Sequence, residues 1–163
     1  MLFEPNYNIE SIYDMDLAEL KDSGIKGLFF DLDSTLMKSK SGKFSFQTLQ
    51  FLNDLKSNFK LAIITNNKNK DYIAKAKAQV DIPIYACAAK PNPRALLKAC
   101  KDLELQPNTV AMIGDRPLSD IFGGERAGMV TILVDSISKD EENPIVRFAR
   151  FLERLTIKKS YYL

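Results

Sequence analysis

The chain contains no histidine, and this absence excludes several kinds of catalytic site. Without an imidazole there is no Ser-His-Asp triad, no histidine-ligated metal and no imidazole proton relay. Any proton transfer must therefore use carboxylates or amines. Only two cysteines are present, Cys87 and Cys100, and they have neither CxxC spacing nor further partners for zinc. Because both lie in apolar surroundings in the sequence, we expect both to pack in the core.

Long apolar runs are also missing. No segment approaches the ~18 apolar residues of a membrane-spanning helix, and residues 1–6 lack the basic and apolar regions of a signal peptide. A cytoplasmic location is therefore the expectation. The net charge of +2 gives no general attraction for nucleic acid, so no nucleic-acid partner is predicted. With 163 residues, 45% of them hydrophobic, the chain has the size of one domain with a proper core.

What the chain does contain is a regular alternation of strand and helix patterns. Five short apolar runs predict buried strands, over residues 25–32, 61–65, 84–88, 109–113 and 130–134. Helical patterns follow them, over residues 45–58, 72–80, 92–103, from 119 onward and 144–156. Such alternation indicates βαβ units, and therefore an α/β fold with a five-stranded parallel sheet covered by helices on both faces.

Side chains suited to phosphate chemistry follow four of the five predicted strands. In chain order they are Asp31 and Asp33, then Thr65, Asn66 and Asn67, then Lys90, and finally Asp115 and Asp120. The carboxyl ends of parallel strands meet at one edge of a sheet, which is where open α/β proteins bind their ligands. We therefore expect these side chains to form a single site.

The aspartates suggest a metal site. Asp31 and Asp33 are two positions apart on an extended segment, so they point to the same side. Two such charges repel each other unless they share a cation. A set of oxygen ligands without histidine or cysteine favours Mg²⁺, with Asp115 as the third acidic contributor.

The remaining polar groups suit a phosphate. Lys90 supplies a positive charge, while the Thr65 hydroxyl and the backbone N–H groups of Asn66 and Asn67 donate hydrogen bonds to phosphate oxygens. Attack by an aspartate on phosphorus then becomes feasible and produces an aspartyl-phosphate. In the absence of histidine, the carboxyl group of Asp33 is the predicted acid and base of this reaction.

The four segments, in this order, resemble the motifs of the haloacid dehalogenase-like (HAD) phosphatase superfamily. The matching residues are Asp31-Leu32-Asp33-Ser34-Thr35, Thr65, Lys90, and Gly114-Asp115 to Asp120. The resemblance covers residues ~25 to ~136 and implies a three-layer Rossmann-like HAD fold. Relatives commonly have Asn where this chain has Ser34, a change that we expect to be minor.

The resemblance also implies a role for each residue. Asp31 is the expected nucleophile and a metal ligand, and Asp33 is the acid/base, which also contributes its backbone carbonyl to the metal. Asp115 is expected to bind Mg²⁺, Asp120 to support the waters of the metal, and Thr35 to fix the loop after the nucleophile.

The spacing of the motifs leaves no room for a large cap domain. Residues 33–65 accommodate a small flap and one helix, and residues 65–90 accommodate one helix and one strand. The site is therefore expected to be open, with the flap 37–43 placing three lysines beside Asp31. Open sites in this superfamily serve large substrates or use a partner subunit as a lid, so a homo-oligomer is one alternative.

Residues 24–27, 90–94 and 114–128 resemble more narrowly the subclass IIIA branch, which includes phosphatidylglycerophosphate phosphatases. This resemblance implies a phospholipid substrate at the inner face of a membrane, and another small-molecule or protein phosphate is the alternative. A receiver-like phospho-accepting signalling module is the alternative from a different class. Receivers lack an acid two residues after the phosphorylated aspartate, so Asp33 favours a hydrolase.

The C-terminal segment allows two interpretations. We divide the single domain into a lead-in (1–24), a catalytic core (25–136) and a basic C-terminal helix (137–163). Beyond Pro144 the segment interleaves apolar residues with five basic ones, Arg147, Arg150, Arg154, Lys158 and Lys159. A basic amphipathic helix lies on anionic membranes, but apolar residues at this spacing normally pack on the sheet. Packing on the sheet is the favoured interpretation, and both hold if the basic face points outward.

Overall fold

Residues 4–155 are described by a computed structural model, and they fold around a six-stranded parallel sheet. The strands are β1 (Tyr7–Asn8), β2 (Gly27–Phe30), β3 (Lys60–Ile64), β4 (Ile84–Tyr85), β5 (Val110–Gly114) and β6 (Val130–Leu133). Their order in the sheet is β1-β6-β5-β2-β3-β4, and every pairing is parallel. The predicted α/β class is confirmed. Strand β2 is central, with Phe30 between Ile113 of β5 and Ile63 of β3.

The prediction of five strands was wrong by one, because the lead-in adds β1 at the edge of the sheet. Tyr7 and Asn8 pair with Ile132 and Leu133 of β6, and the N–H of Ile9 donates to the carbonyl of Leu133 at 2.9 Å. A strand of two residues is too short to show an alternating pattern in the sequence. From Tyr7 onward the lead-in is therefore part of the fold, and its Ile12 is buried in the core.

In the described part of the chain, six α-helices accompany the strands. They are α1 (Leu17–Asp22), α2 (Phe46–Leu55), α3 (Lys70–Gln79), α4 (Arg94–Asp102), α5 (Phe122–Ala127) and α6 (Pro144–Leu155). Side-chain caps stabilise the starts of α1, α2 and α3: Asp16 accepts from the N–H of Glu19, Ser45 from that of Thr48 and Asn69 from that of Tyr72. Within residues 4–155 the structure contains no helix with the length and apolar character needed to span a membrane.

The core lies on both faces of the sheet. On one face, Leu28 and Phe30 of β2 belong to a buried cluster with residues of α1, α2 and α3. On the other face, Phe29 of β2 belongs to a cluster with residues of α4 and α5. All four residues of β2 are buried because helices cover the strand from both sides. This three-layer arrangement leaves the carboxyl ends of the strands as the place where polar groups can gather.

The two cysteines have different environments. Cys100 is buried in α4 as predicted, but the prediction that Cys87 packs in the core was wrong, because Cys87 is exposed. Cys87 follows β4 at the edge of the sheet and has a left-handed backbone with φ of 53°. The apolar run continues past the end of β4 at Tyr85, and Cys87 lies beyond that strand.

Helix α6 is oriented opposite to the favoured prediction. Its large apolar residues do not pack on the sheet: Ile145 is 76% exposed and Phe148 is 61% exposed. Instead, two charged residues of the helix, Arg150 and Glu153, are buried against the protein. Lys158 and Lys159, which were included in the predicted basic helix, lie outside the described residues.

Candidate active site

The ends of β2 and β5 bring the predicted aspartates together. Asp31 directly follows β2, and its N–H donates to the carbonyl of Ile113 in β5 at 2.9 Å. Asp115 directly follows β5, and Asp120 lies in the π-helical turn Pro117–Ile121 that comes next. Carboxylate oxygens of these three buried residues lie within 4.8 Å of one another. The structure therefore brings three of the predicted aspartates together, with the carboxylate of Asp120 rather than that of Asp33 beside Asp31 and Asp115.

Lys90 lies beside this cluster and joins two of its members. Its Nζ donates to Asp31 Oδ1 at 2.8 Å, to Asp120 Oδ1 at 2.6 Å and to the carbonyl of Ile64 at 2.7 Å. The Lys90 side chain is 1% exposed. These three bonds use all three donors of the ammonium group, which gives the lysine a single position in the site.

Asn66 positions the backbone of Lys90. The Asn66 amide donates to the Lys90 carbonyl at 3.0 Å and accepts from the Lys90 N–H at 2.7 Å. The sequence predicted only a phosphate contact through the backbone N–H of Asn66, so this positioning contact was missed. The Thr65 hydroxyl, just before it, is buried and accepts from the N–H of Asn67 at 3.1 Å. Both residues lie at the end of β3, beside the aspartate cluster.

The site carries more negative charge than its own cations offset. Burial raises the pKa of Asp31 well above its usual value, and repulsion from Asp120 raises it further, although Lys90 acts in the opposite direction. Burial also raises the pKa of Asp115, with Asp120 again contributing, while Arg150 opposes the shift. Burial by itself would lower the pKa of Lys90, but the carboxylates of Asp120 and Asp31 outweigh it and raise the pKa. Such an arrangement favours binding of a further cation.

Close packing holds Asp120 against the end of β5. A Cβ atom on Gly114 would lie 2.2 Å from Asp120 Oδ2, so only glycine leaves room for this carboxylate. Asp120 Oδ2 also accepts from the N–H of Arg116 at 3.1 Å. The glycine before Asp115 therefore has a packing role in the site, which the motif alone did not explain.

Asp115 has partners from two distant parts of the chain. Its Oδ1 accepts from the hydroxyl of Thr35 at 3.0 Å, and its Oδ2 contacts the guanidinium of Arg150. Thr35 lies in the turn after β2, and its bond to Asp115 connects the turn following the first motif to the end of β5. The Arg150 contact comes from α6 and was not predicted.

Asp33 lies apart from the three clustered carboxylates. Its Oδ1 accepts from the Tyr72 hydroxyl at 2.5 Å, and its Oδ2 accepts from the Asn67 amide at 3.1 Å. Burial, followed by the bond to Asp33, raises the pKa of Tyr72. Tyr72 therefore remains a hydrogen-bond donor to the carboxylate. Its role was missed because it lies on α3, where the sequence shows only a helical apolar position.

The C-terminal segment forms a wall of the site that sequence reasoning did not foresee. A cavity of about 370 Å³ contains Asp31, Asp33 and Lys90, and it is bounded on one side by Ser138, Glu142 and Arg150. Glu142 holds Arg150 in place through two bonds, Nη2 to Oε1 at 2.7 Å and Nε to Oε2 at 3.2 Å. No inserted cap is present in the described residues, yet residues between 138 and 150 partly cover the open edge. Nothing in the local sequence marks Arg150, because its partner Asp115 lies 35 residues earlier.

The flap 37–43 differs in part from expectation. Lys40 lines the cavity, whereas Lys38 pairs with Glu141 at 2.6 Å. Lys43 is exposed and is not among the residues that line the cavity. The flap therefore brings Lys40, rather than all three lysines, to the site. Ser34 has a left-handed backbone with φ of 67°, and its hydroxyl bonds to Ser138 at 3.2 Å.

A parallel α/β sheet with three carboxylates and a lysine at adjoining strand ends is the arrangement of a phosphoryl-transfer enzyme. Comparison with known proteins identifies the family. A family model described as HAD-hydrolase-like matches residues 87–155. A protein of Bacillus subtilis named "Probable phosphatase YqeG" is 30% identical over 153 residues, which is 93% of this chain and 88% of the relative. The chain belongs to the HAD family and is a phosphatase.

Other comparisons agree with this assignment. Phosphatidylglycerophosphate phosphatase 1 of Arabidopsis thaliana is 29% identical over 95% of this chain, although the chain spans only 47% of that longer protein. A HAD phosphatase structure from Thermococcus onnurineus matches with a TM-score of 0.57 and 14% identity, over 73% of this chain and 89% of that one. A HAD-like phosphatase from Mesorhizobium loti matches with a TM-score of 0.53 and 20% identity, over 64% and 69% of the two chains. These two structures share the fold.

HAD phosphatases generally use a divalent metal, and the residues present fit one. The buried carboxylates of Asp31, Asp115 and Asp120 offer oxygen ligands within 4.8 Å of one another. Hard divalent cations prefer such oxygens. Burial and repulsion from Asp120 raise the pKa values of Asp31 and Asp115, and a nearby divalent ion would oppose this rise.

Proposed function

We propose that this phosphatase hydrolyses phosphate monoesters in two steps, with Asp31 as the nucleophile and Mg²⁺ as the metal. The observation that carries the proposal is the position of Asp31, which is buried at the end of the central strand and bonded to Lys90 at 2.8 Å. A carboxylate held in one orientation beside an ammonium group is prepared to attack phosphorus. Lys90 and the Thr65 hydroxyl lie close enough to this carboxylate to line the same cavity.

In the first step, a carboxylate oxygen of Asp31 forms a bond to phosphorus while the bond to the leaving alkoxide breaks. Asp33 gives its proton to the departing oxygen, so the products are an alcohol and a phosphorylated Asp31. In the second step, Asp33 takes a proton from a water, whose oxygen bonds to phosphorus and releases phosphate. Asp31 then returns as a carboxylate.

The proposed metal ligands are the carboxylates of Asp31 and Asp115 together with the backbone carbonyl of Asp33. Asp120 is proposed to hold the waters of the metal. When bound, Mg²⁺ supplies positive charge that offsets the charge of the phosphoryl group. Lys90 contributes a further positive charge beside Asp31, and the Thr65 hydroxyl and the backbone N–H of Asn66 are the proposed donors to the phosphate oxygens.

The proposed substrate is a phospholipid that carries a terminal phosphate, such as phosphatidylglycerophosphate, at the inner face of a membrane. The similarity to the Arabidopsis phosphatidylglycerophosphate phosphatase along 95% of this chain supports this choice. The open site supports it as well, because no cap domain in the described residues restricts the size of the group that carries the phosphate.

Phosphate release from three kinds of substrate tests this proposal. With Mg²⁺ present, the full chain is expected to hydrolyse p-nitrophenyl phosphate slowly and vesicle-presented phosphatidylglycerophosphate much faster than sugar phosphates or nucleotides. Chelation of the metal should abolish all of these activities. Faster turnover of sugar phosphates would overturn the lipid proposal, and activity that survives chelation would overturn the metal. A stable phosphoprotein without turnover would contradict hydrolysis itself.

The hydrogen bond between Tyr72 and Asp33 leads to a separate prediction about how the proposed acid/base is positioned. Tyr72→Phe removes the hydroxyl that donates to Asp33 Oδ1 and should lower kcat about tenfold with little change in KM, because Asp33 loses one of two orienting bonds. Tyr85→Phe is the matched control, since the Tyr85 hydroxyl donates to Asp102 at 2.8 Å on the exposed side of α4. Equal kcat values for the two variants would show that Tyr72 does not position the acid/base.

A further inference from the structure

Helix α6 presents a continuous apolar surface to the outside of the molecule. Five large side chains form this surface, which we call the outer face of α6: Ile145 (76% exposed), Phe148 (61%), Phe151 (56%), Leu152 (47%) and Leu155 (62%). On a helix, positions three, four and seven apart lie on one side, so these residues form a single stripe. An exposed apolar surface of this kind marks a site of interaction with a partner or a membrane.

Ion pairs on the opposite side of the helix hold the stripe outward. Arg150 contacts Asp115 and pairs with Glu142, and Glu153 accepts from Arg116 Nη2 at 2.5 Å. One turn further, Arg154 pairs with Asp135 at 3.1 Å and donates to the carbonyl of Val134 at 2.8 Å. Rotation of the helix to bury the stripe would separate these charges, two pairs of which are largely buried. The outward orientation is therefore set by the contacts of the polar side.

The outer face of α6 belongs to a helix that also borders the active site. The inner side of the same helix lines the catalytic cavity with Val146 and Arg150. A second cavity, of about 460 Å³, adjoins the first and shares Glu142 and Arg150 with it. Whatever covers the stripe would therefore stand against a helix that forms part of the wall of the catalytic cavity.

The second cavity combines cationic and aromatic side chains. Lys139 and Arg147 line it together with Phe148 and Phe151 of the outer face, and both cations are exposed. Arg154 lines it as well, and the acids among its lining residues, Asp135 and Glu142, are paired with arginines. Lys139 and Arg147 are thus the charges that a ligand at this surface would meet. Together with apolar rings, they match an interface whose headgroups are anionic and whose interior is hydrocarbon.

We propose that the outer face of α6 docks on an anionic lipid surface and turns the catalytic cavity toward it. This inference rests on the proposed lipid substrate and adds the means by which the enzyme reaches that substrate. A second copy of this chain is a weaker occupant, since a two-fold contact through the same face would bring two sets of cations together. A lipid surface offers hydrocarbon to the apolar stripe and anionic headgroups to the cations.

Binding to vesicles tests the docking directly. The full chain is expected to co-sediment with vesicles of phosphatidylcholine and phosphatidylglycerol, and to bind vesicles of phosphatidylcholine alone much less. The double change Phe148→Ser and Phe151→Ser should weaken binding to the anionic vesicles about tenfold or more, because both rings are lost from the interface. Phe46→Ser is the matched control, since Phe46 is 80% exposed but lies on α2, and it should bind as the unchanged protein does.

Activity measurements separate the docking from the proposed function. Turnover of p-nitrophenyl phosphate, which is water-soluble, should be the same for the double variant and the unchanged protein, and this result also shows that the variant is folded. Hydrolysis of vesicle-presented lipid phosphate should fall in the double variant but not in the Phe46→Ser control. If the unchanged protein binds anionic vesicles without hydrolysing lipid phosphate, the substrate proposal is wrong and the docking stands.

Two results would overturn the docking. In the first, the unchanged protein hydrolyses lipid phosphate while the double variant matches it in both binding and turnover. In the second, the unchanged protein does not bind anionic vesicles. If sedimentation then shows a dimer that the double substitution dissociates, the outer face of α6 belongs to a contact with a second copy of the chain.

Discussion

Asp31→Asn is expected to abolish phosphatase turnover, with kcat lower by about 10⁴-fold or more, because an amide oxygen cannot form the proposed bond to phosphorus. The fold should be retained. Asn keeps an oxygen that accepts from Lys90, and its neutral side chain removes one charge from a cluster of three buried carboxylates. Turnover of p-nitrophenyl phosphate with Mg²⁺ measures the loss, and circular dichroism checks the fold.

Asp54→Asn provides the matched control for the nucleophile. Asp54 is exposed on α2, so this substitution makes the same chemical change away from the site. Its kcat should equal that of the unchanged protein. Activity of Asp31→Asn within about tenfold of the unchanged protein would assign the nucleophile to another group. Asp33→Asn should differ from both, since phosphorylation of Asp31 continues slowly while release of phosphate becomes poor.

Lys90→Met is expected to lower both stability and activity. The free energy of unfolding should fall by about 3–5 kcal/mol, because the buried carboxylates of Asp31 and Asp120 lose the cation that bonds to them at 2.8 and 2.6 Å. Urea denaturation followed by circular dichroism measures this change. Catalysis should also be lost, since the proposed positive charge beside the nucleophile Asp31 is missing.

A second lysine offers the control for this experiment. Lys98 pairs with Asp102 at 2.8 Å on the surface of α4, and its side chain is 66% exposed. Lys98→Met should change the unfolding free energy by less than about 1 kcal/mol, because water screens an exposed pair. Equal losses for the two variants would show that the Lys90 cluster is not stabilised by its ion pairs.

The loss caused by Lys90→Met should depend on pH. The pKa of Asp31 is already raised by burial, and removal of Lys90 raises it further. Protonation of Asp31 removes the unpaired charge and is favoured more in the folded than in the unfolded chain. The destabilisation should therefore be smaller at mildly acidic pH than at neutral pH. A loss that grows as the pH falls would contradict this account.

Much of the fold was predictable because local signals agree with one another. The apolar runs that predict β2, β3, β5 and β6 are bounded by polar or turn residues, and Ser45 and Asn69 have the side chains that begin α2 and α3. Gly128 adopts the left-handed backbone expected of a residue that ends a helix, with φ of 79°. Strand β1 was not predicted because two residues of extended chain show no periodic pattern, and because its partner β6 lies far along the chain, with Tyr7 paired to Ile132.

The candidate site was predictable to the extent that it follows the strand ends. Asp31, Thr65 and Asp115 each come directly after a recognisable strand, so a parallel sheet brings them to one edge. The side chains that orient them were not predictable. Tyr72 and Arg150 lie on helices, and each is 35 or more residues away in the sequence from the aspartate that it contacts. A local sequence pattern does not predict such contacts.

The sequence by itself determined the order of strands and motifs, and with it the chemistry of the site, because strand ends and their following residues are local features. It also determined that the residues of α6 divide into an apolar and a polar side, since helical periodicity assigns each residue to one side of the helix. Only the tertiary structure decided which side turns inward. Arg150 and Glu153 find charged partners at Asp115, Glu142 and Arg116, and these contacts, rather than hydrophobic burial, orient the helix.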